Sequence, residues 1–109
     1  MDRDTVDRIA ALFGALGNPI RVLIVKEISA EPLKVTAIAE RLHIAQSSAS
    51  QHLAVLERVG LIKATPVGTS RLYGIRGPRV AKLLETVAEF CEVHGLRGLP
   101  EEIVSDDEG

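Results

Sequence analysis

Apolar residues recur at helical spacing from the start of the chain. Val6, Ile9, Phe13 and Leu16 fall on one face of a segment from about Thr5 to Leu16 and predict an amphipathic helix. Asn18-Pro19 follows, a capping side chain ahead of a proline suited to a first helical turn. Val22, Leu23, Ile24, Val25 and Ile28 then continue as a helix that is apolar on nearly all sides. An element of that kind belongs at the centre of a core. Glu31-Pro32 ends it, after which Thr36 is expected to cap a short helix with Ile38, Ala39 and Leu42 on its inner side. His43-Ile44 reads as a tight connection. The next helix, Gln46 to about Val59, turns Ala49, Leu53, Leu56 and Val59 inward and leaves Gln46, Ser47, Ser48, Ser50, Gln51 and His52 largely outside.

Gly60 stands where that helix should stop. Leu61 to Ala64 reads as a short strand, Thr65 to Thr69 as a turn and Arg71 to Ile75 as the returning strand, so Pro66 belongs at the hairpin tip or an edge. Pro78 opens a last helix reaching about His94, with Val80, Leu83, Leu84, Val87, Phe90 and Cys91 along a broad apolar stripe. Two short helices joined by a tight turn, the second polar outside and followed by a hairpin, make a winged helix-turn-helix. The expected fold is mainly α, with five helices and a small β-hairpin wing. In that arrangement the second short helix enters the DNA major groove and the wing reaches the adjoining backbone. Gln46, Ser47, Ser48, Ser50, Gln51 and His52 carry short donors and acceptors suited to base edges and phosphates, although a solvated surface helix has similar residues.

Net charge first argues against this reading. The chain of 109 residues has 13 Lys and Arg against 15 Asp and Glu, a formal charge of −2. The charges are segregated, however. Residues 41–82 carry seven basic side chains (Arg41, Arg58, Lys63, Arg71, Arg76, Arg79 and Lys82) against Glu57 alone, whereas residues 83–109 carry Arg97 against eight carboxylates. The near-neutral total thus divides into a cationic middle between neutral and acidic ends, and the cationic part coincides with the reading helix and the wing. The acids from Glu101 to Glu108 are expected to lower non-specific DNA affinity by repelling phosphates.

Length sets one domain, expected over residues 1–100, followed by an acidic and disordered tail over 101–109. Phe13, Tyr73 and Phe90 are the aromatic residues and there is no Trp, which removes a stacking platform for single-stranded bases. The longest apolar run is far short of a membrane span and the N-terminus is acidic rather than signal-like, so a cytoplasmic protein without a membrane partner is expected. A lone Cys91 excludes an intrachain disulfide and any four-cysteine zinc site. No Ser/His/Asp, paired-carboxylate or phosphate-loop pattern appears, so an enzyme is the weakest reading.

The segments Ala15-Leu16-Gly17-Asn18-Pro19-Ile20-Arg21, Gln46-Ser47-Ser48-Ala49-Ser50-Gln51-His52-Leu53 and Leu56-Glu57-Arg58-Val59-Gly60-Leu61-Ile62, followed by Arg71-Leu72-Tyr73, resemble the arsenic-repressor (ArsR/SmtB) family over roughly residues 10–93. The resemblance implies a homodimeric repressor of palindromic operators in double-stranded DNA, released by a metal ion or another inducer, with the dimer built from the first and last helices. Val6, Ile9, Phe13, Leu83, Leu84, Val87 and Phe90 are then the expected interface residues. Several positions depart from the family pattern. Ala45 replaces a usual Ser and cannot cap the reading helix, and His43 stands where Gly is common. The wing tip lacks the usual basic pair, which leaves Arg71 as the best wing contact, with Arg58 and Lys63 as phosphate neighbours.

Neither of the family's familiar metal sites is present. The segment Leu33 to Ile38 has no cysteine, and Gly77, Pro78, Arg79, Phe90 and Val93 occupy the positions of the other site. Cys91 and His94 remain, three residues apart on the last helix. They suit a borderline metal such as nickel or zinc but are too few for a closed site in one chain. The bland alternative makes Cys91 a small apolar residue and His94 a helix-end side chain. A thiol redox switch through Cys91 is a further option, and a winged-helix protein-interaction module with weak or lost DNA binding is the competing function from another class.

Overall fold

The computed structural model describes residues 1–96; the acidic tail and the boundary at residue 100 lie outside them. Helix α1 spans Arg3–Leu16 and begins two residues earlier than its apolar periodicity indicates, because Asp2 caps it. The Asp2 carboxylate accepts a hydrogen bond from the Thr5 amide at 2.8 Å. That bond holds the Asp2 carboxyl below its ordinary pKa. Helix α2 covers Pro19–Ala30, and Asn18 caps it as expected, its Oδ1 accepting from Ile20 at 2.9 Å and Arg21 at 3.3 Å. Ile24, Val25 and Ile28 are fully buried, and α2 packs against the other four helices and the second strand of the hairpin. It is therefore the central element that its nearly uniform apolarity predicted.

Helix α3 spans Val35–Leu42, so Thr36 lies inside it rather than at its cap. Leu33 explains the earlier start. Its backbone exchanges two hydrogen bonds with Tyr73, at 2.8 and 3.0 Å, which keeps the chain extended up to Lys34; the first helical bond then runs from the Ile38 amide to the Lys34 carbonyl. His43 ends α3 in the left-handed conformation, with φ 56°. A β-branched side chain is strained there, whereas Gly is not. His43→Val is expected to lower stability by about 1–2 kcal/mol and His43→Gly to match or exceed the parent, as read from urea denaturation midpoints.

Helix α4 covers Gln46–Arg58, ending one residue before the expected Val59, and Ala45 provides no side-chain cap. Gly60 follows at φ 83° and turns the chain into the wing. Strands β1 (Ile62–Val67) and β2 (Ser70–Ile75) pair antiparallel with Ile62 opposite Ile75 and Val67 opposite Ser70. Both are longer at the tip than the sequence reading allowed. The cause is Gly68, whose φ of 63° permits a two-residue turn with Thr69 in place of a five-residue one. Pro66 sits within β1, opposite Arg71. It is tolerated because the pair next to the turn-flanking pair directs its amides away from the partner strand.

Helix α5, Pro78–Val93, closes the fold without one fully buried residue. The core consists of Ile24, Val25, Ile28, Ile38, Leu53, Leu56 and Ile62 with smaller neighbours, and no polar side chain is buried among the described residues. No single helix among them is long and apolar enough to cross a membrane.

Candidate nucleic-acid interface

Helices α3 and α4 pack against each other across the turn at His43. The turn is closed by hydrogen bonds from the His43 amide to the Glu40 carbonyl and from the Ile44 amide to the Ala39 carbonyl. Burial of Ala49, Leu53 and Leu56 fixes the rotation of α4 about its axis. The opposite face is a polar exposed stripe of Ser47, Ser50, Gln51 and Arg58, interrupted by Ala54, with Gln46 exposed at the first turn. The structure thus keeps five of the expected DNA contacts of this helix on one open surface. Two others lie at its flanks. Ser48 is half-buried, and His52 is half-buried with its Nδ1 3.3 Å from an Arg21 guanidinium nitrogen.

Arg21 stands outside the DNA contacts expected from the sequence. Its Nε also donates to the Ala15 carbonyl at 2.6 Å, so one side chain ties the end of α1 to α2 and to the reading helix. A usable signal was available: between Pro19 and Val25 it is the only charged residue in an otherwise apolar stretch. Such a residue needs a partner on the element it packs against.

The wing stands beside α4. Lys34, Thr36, Gln46, Thr69, Ser70 and Arg71 line a groove between the starts of α3 and α4 and the wing. Both helix starts lack side-chain caps, so their first amides are left without a side-chain partner. Arg71 lies 3.5 Å from the Glu57 carboxylate and 5.6 Å from the centre of the Tyr73 ring. The hairpin register puts Lys63 on the opposite face from Arg71, in a second groove with Glu31, Pro32 and Thr65. Lys63 and Arg71 therefore do not form a single contact patch.

The cationic segment is also reduced by internal pairing. Arg41 bridges Glu27 at 3.4 Å and Glu31 at 3.1 Å, which ties α3 to α2. Arg58, Lys63, Arg76, Arg79 and Lys82 are exposed and form no ion pair among the described residues.

A separate apolar surface lies on α1 and α5. Val6, Ile9, Phe13, Val87 and Phe90 are exposed, Phe13 and Phe90 by more than half, while Leu83 and Leu84 are half-buried. Cys91 is half-buried at the edge of this surface. His94 is exposed and packs its ring on Phe90 at 4.4 Å. No three His, Cys, Asp or Glu side chains come together among the described residues. One thiol and one imidazole do not complete a four-coordinate metal site within a protomer.

Comparison with known proteins agrees with this geometry. Residues 18–64 match the family described as bacterial regulatory protein, arsR family. The chain is 33% identical to the HTH-type transcriptional regulator NmtR of Mycobacterium tuberculosis, over 84% of its own length and 77% of that protein's. It is 30% identical to the HTH-type transcriptional repressor SmtB of the same species, over 83% and 67% of the two chains. Its fold is similar, with a TM-score of 0.80 and 31% identity over 86% and 89% of the chains, to the solution structure of a homodimeric winged helix-turn-helix DNA-binding domain from Mycobacterium bovis, a possible ArsR-family transcriptional regulator.

Proposed function

This chain belongs to the arsR family of bacterial regulatory proteins, and from that premise we propose that it is a homodimeric, cytoplasmic transcriptional repressor that binds a palindromic operator. The observation that carries the reading is the polar stripe of Ser47, Ser50, Gln51 and Arg58. It is held outward by the buried Ala49, Leu53 and Leu56 and stands next to a wing that can reach the backbone. A protein-interaction module would not need uncapped helix starts converging with Gln46, Thr69 and Ser70 in one groove. The family is one of regulators rather than enzymes.

Residues 1–100 act as the operating unit in this reading. A two-fold dimer places the two α4 helices in successive major grooves, with half-sites about one helical turn apart. Gln51 can pair bidentately with adenine and Ser50 with several base edges, whereas Arg58 suits a phosphate. The test uses a palindromic duplex selected from a randomised pool, together with a random duplex. Ser50→Ala combined with Gln51→Ala is expected to cut the ratio of selected to random affinity about tenfold or more. Arg58→Ala should instead lower both affinities together and flatten the salt slope by about 0.9. An unchanged ratio in the double variant would remove α4 from base recognition.

Regulation by an inducer accompanies this reading, and the donor set limits what a metal could be. Nickel or zinc at Cys91 and His94 would need donors from both protomers, since among the described residues no third His, Cys, Asp or Glu joins them. The same half-buried Cys91 is the only thiol through which a redox response could act.

A further inference from the structure

Between residues 41 and 82 the chain has one carboxylate, Glu57, and the structure sets it against the best candidate for a wing contact with DNA. The Arg71 guanidinium lies 3.5 Å from the Glu57 carboxylate and above the Tyr73 ring. Both partners are substantially exposed, Arg71 by 56% and Glu57 by 39% of the side chain. A long ion pair at such a surface contributes little to stability, so it has scant value as a prop for the wing. It has a larger effect on charge. Glu57 presents Arg71 with an oxyanion, and a DNA phosphate competes with that carboxylate for the guanidinium.

We propose that Glu57 is an internal competitor for Arg71: it occupies the wing arginine in place of a phosphate and so holds down sequence-independent attachment to DNA. The proposal rests on the DNA-binding reading and deepens it. Counterion release gives its size. Each phosphate newly neutralised steepens the salt slope by about 0.9, which corresponds to roughly eightfold tighter binding at 0.1 M salt relative to 1 M. Freeing Arg71 should recover up to that amount.

The experiment is a salt titration of the full chain against a random-sequence duplex, for the parent, Glu57→Gln, Arg71→Ala and the double variant. Glu57→Gln keeps the side chain's shape, and matching thermal unfolding curves verify that the fold is kept. The expected result is binding up to about eightfold tighter at 0.1 M salt for Glu57→Gln, a slope steeper by up to 0.9, and loss of that gain when Arg71 is also Ala. Arg71→Ala should weaken binding more in the Glu57→Gln background than in the parent, because in the parent Glu57 competes for the guanidinium. The proposal is overturned if Glu57→Gln binds no tighter, or if its gain persists undiminished without Arg71, because the carboxylate would then act only through bulk charge. A parent that binds the duplex without any salt slope would instead sink the DNA-binding reading itself, whatever the variants do.

Discussion

A Phe90→Glu chain is expected to run as a monomer in sedimentation and to bind its operator about 10²–10⁴ times more weakly than the parent. Phe90 is 54% exposed in the protomer, and Val6, Ile9 and Phe13 on α1 and Val87 on α5 likewise leave apolar surface open to water. Burying such a surface against a second copy is the largest gain left to this fold, because α5 has no fully buried residue of its own. In a two-fold interface each substitution occurs twice, so two carboxylates would lose their water at once, at a cost of several kcal/mol each. The effect on DNA follows from linkage of the two reading helices. When one half-site is held, the other binds as an intramolecular event, and separating the protomers removes that advantage without altering any DNA contact. Far-UV circular dichroism should remain that of the parent, since Phe90 contributes little to the protomer core. A variant that stays dimeric with parental operator affinity would show that this face is not the interface.

The second large effect is thermodynamic. Leu53→Ala is expected to destabilise the protein by about 2–5 kcal/mol, a large share of the 5–15 kcal/mol typical of a domain this size. Leu53 is 1% exposed, and its neighbours Ala49 and Leu56 on α4 are completely buried, so little space exists for the surroundings to close over the lost atoms. The measurement is urea denaturation, where the midpoint should fall while the m-value stays constant. Gln51→Ala, two positions earlier on the exposed side of the same helix, should shift the midpoint by less than about 0.5 kcal/mol. The contrast separates the two tasks of α4: its inner face is a packing surface, and its outer face is free to carry chemistry.

Much of this fold was legible because local signals agreed with one another. Asn18-Pro19 names a helix start by a side chain and a fixed φ, and the structure places the expected hydrogen bonds there. The tight turn at His43 and the stop at Gly60 were legible for the same reason, since few residues accept positive φ. Thr36 shows the limit of this reasoning. It is a sound capping residue, but the preceding Leu33 is drawn into pairing with Tyr73, forty residues away, and the helix starts before Thr36 can cap it. The hairpin erred in the same direction. Pro66 suggested a wide tip, whereas Gly68 allowed a turn of two residues and let the strands extend past the proline.

At the candidate site the division is similar. The sequence alone determined the winged helix-turn-helix order, the central α2, the outward residues of α4 and the surplus of apolar residues on α1 and α5, because each follows from periodicity, punctuation and residue type along a short stretch. Only the tertiary structure decided which of the charged and polar residues are available to a ligand. It turned His52 toward Arg21, tied Arg41 to Glu27 and Glu31, separated Lys63 from Arg71 on the two faces of the wing, and set Arg71 against Glu57. Hydrophobic burial follows a repeating pattern that the chain displays openly. A polar side chain finds its partner through contacts between residues distant in sequence, and these exist only once the helices and the wing have packed.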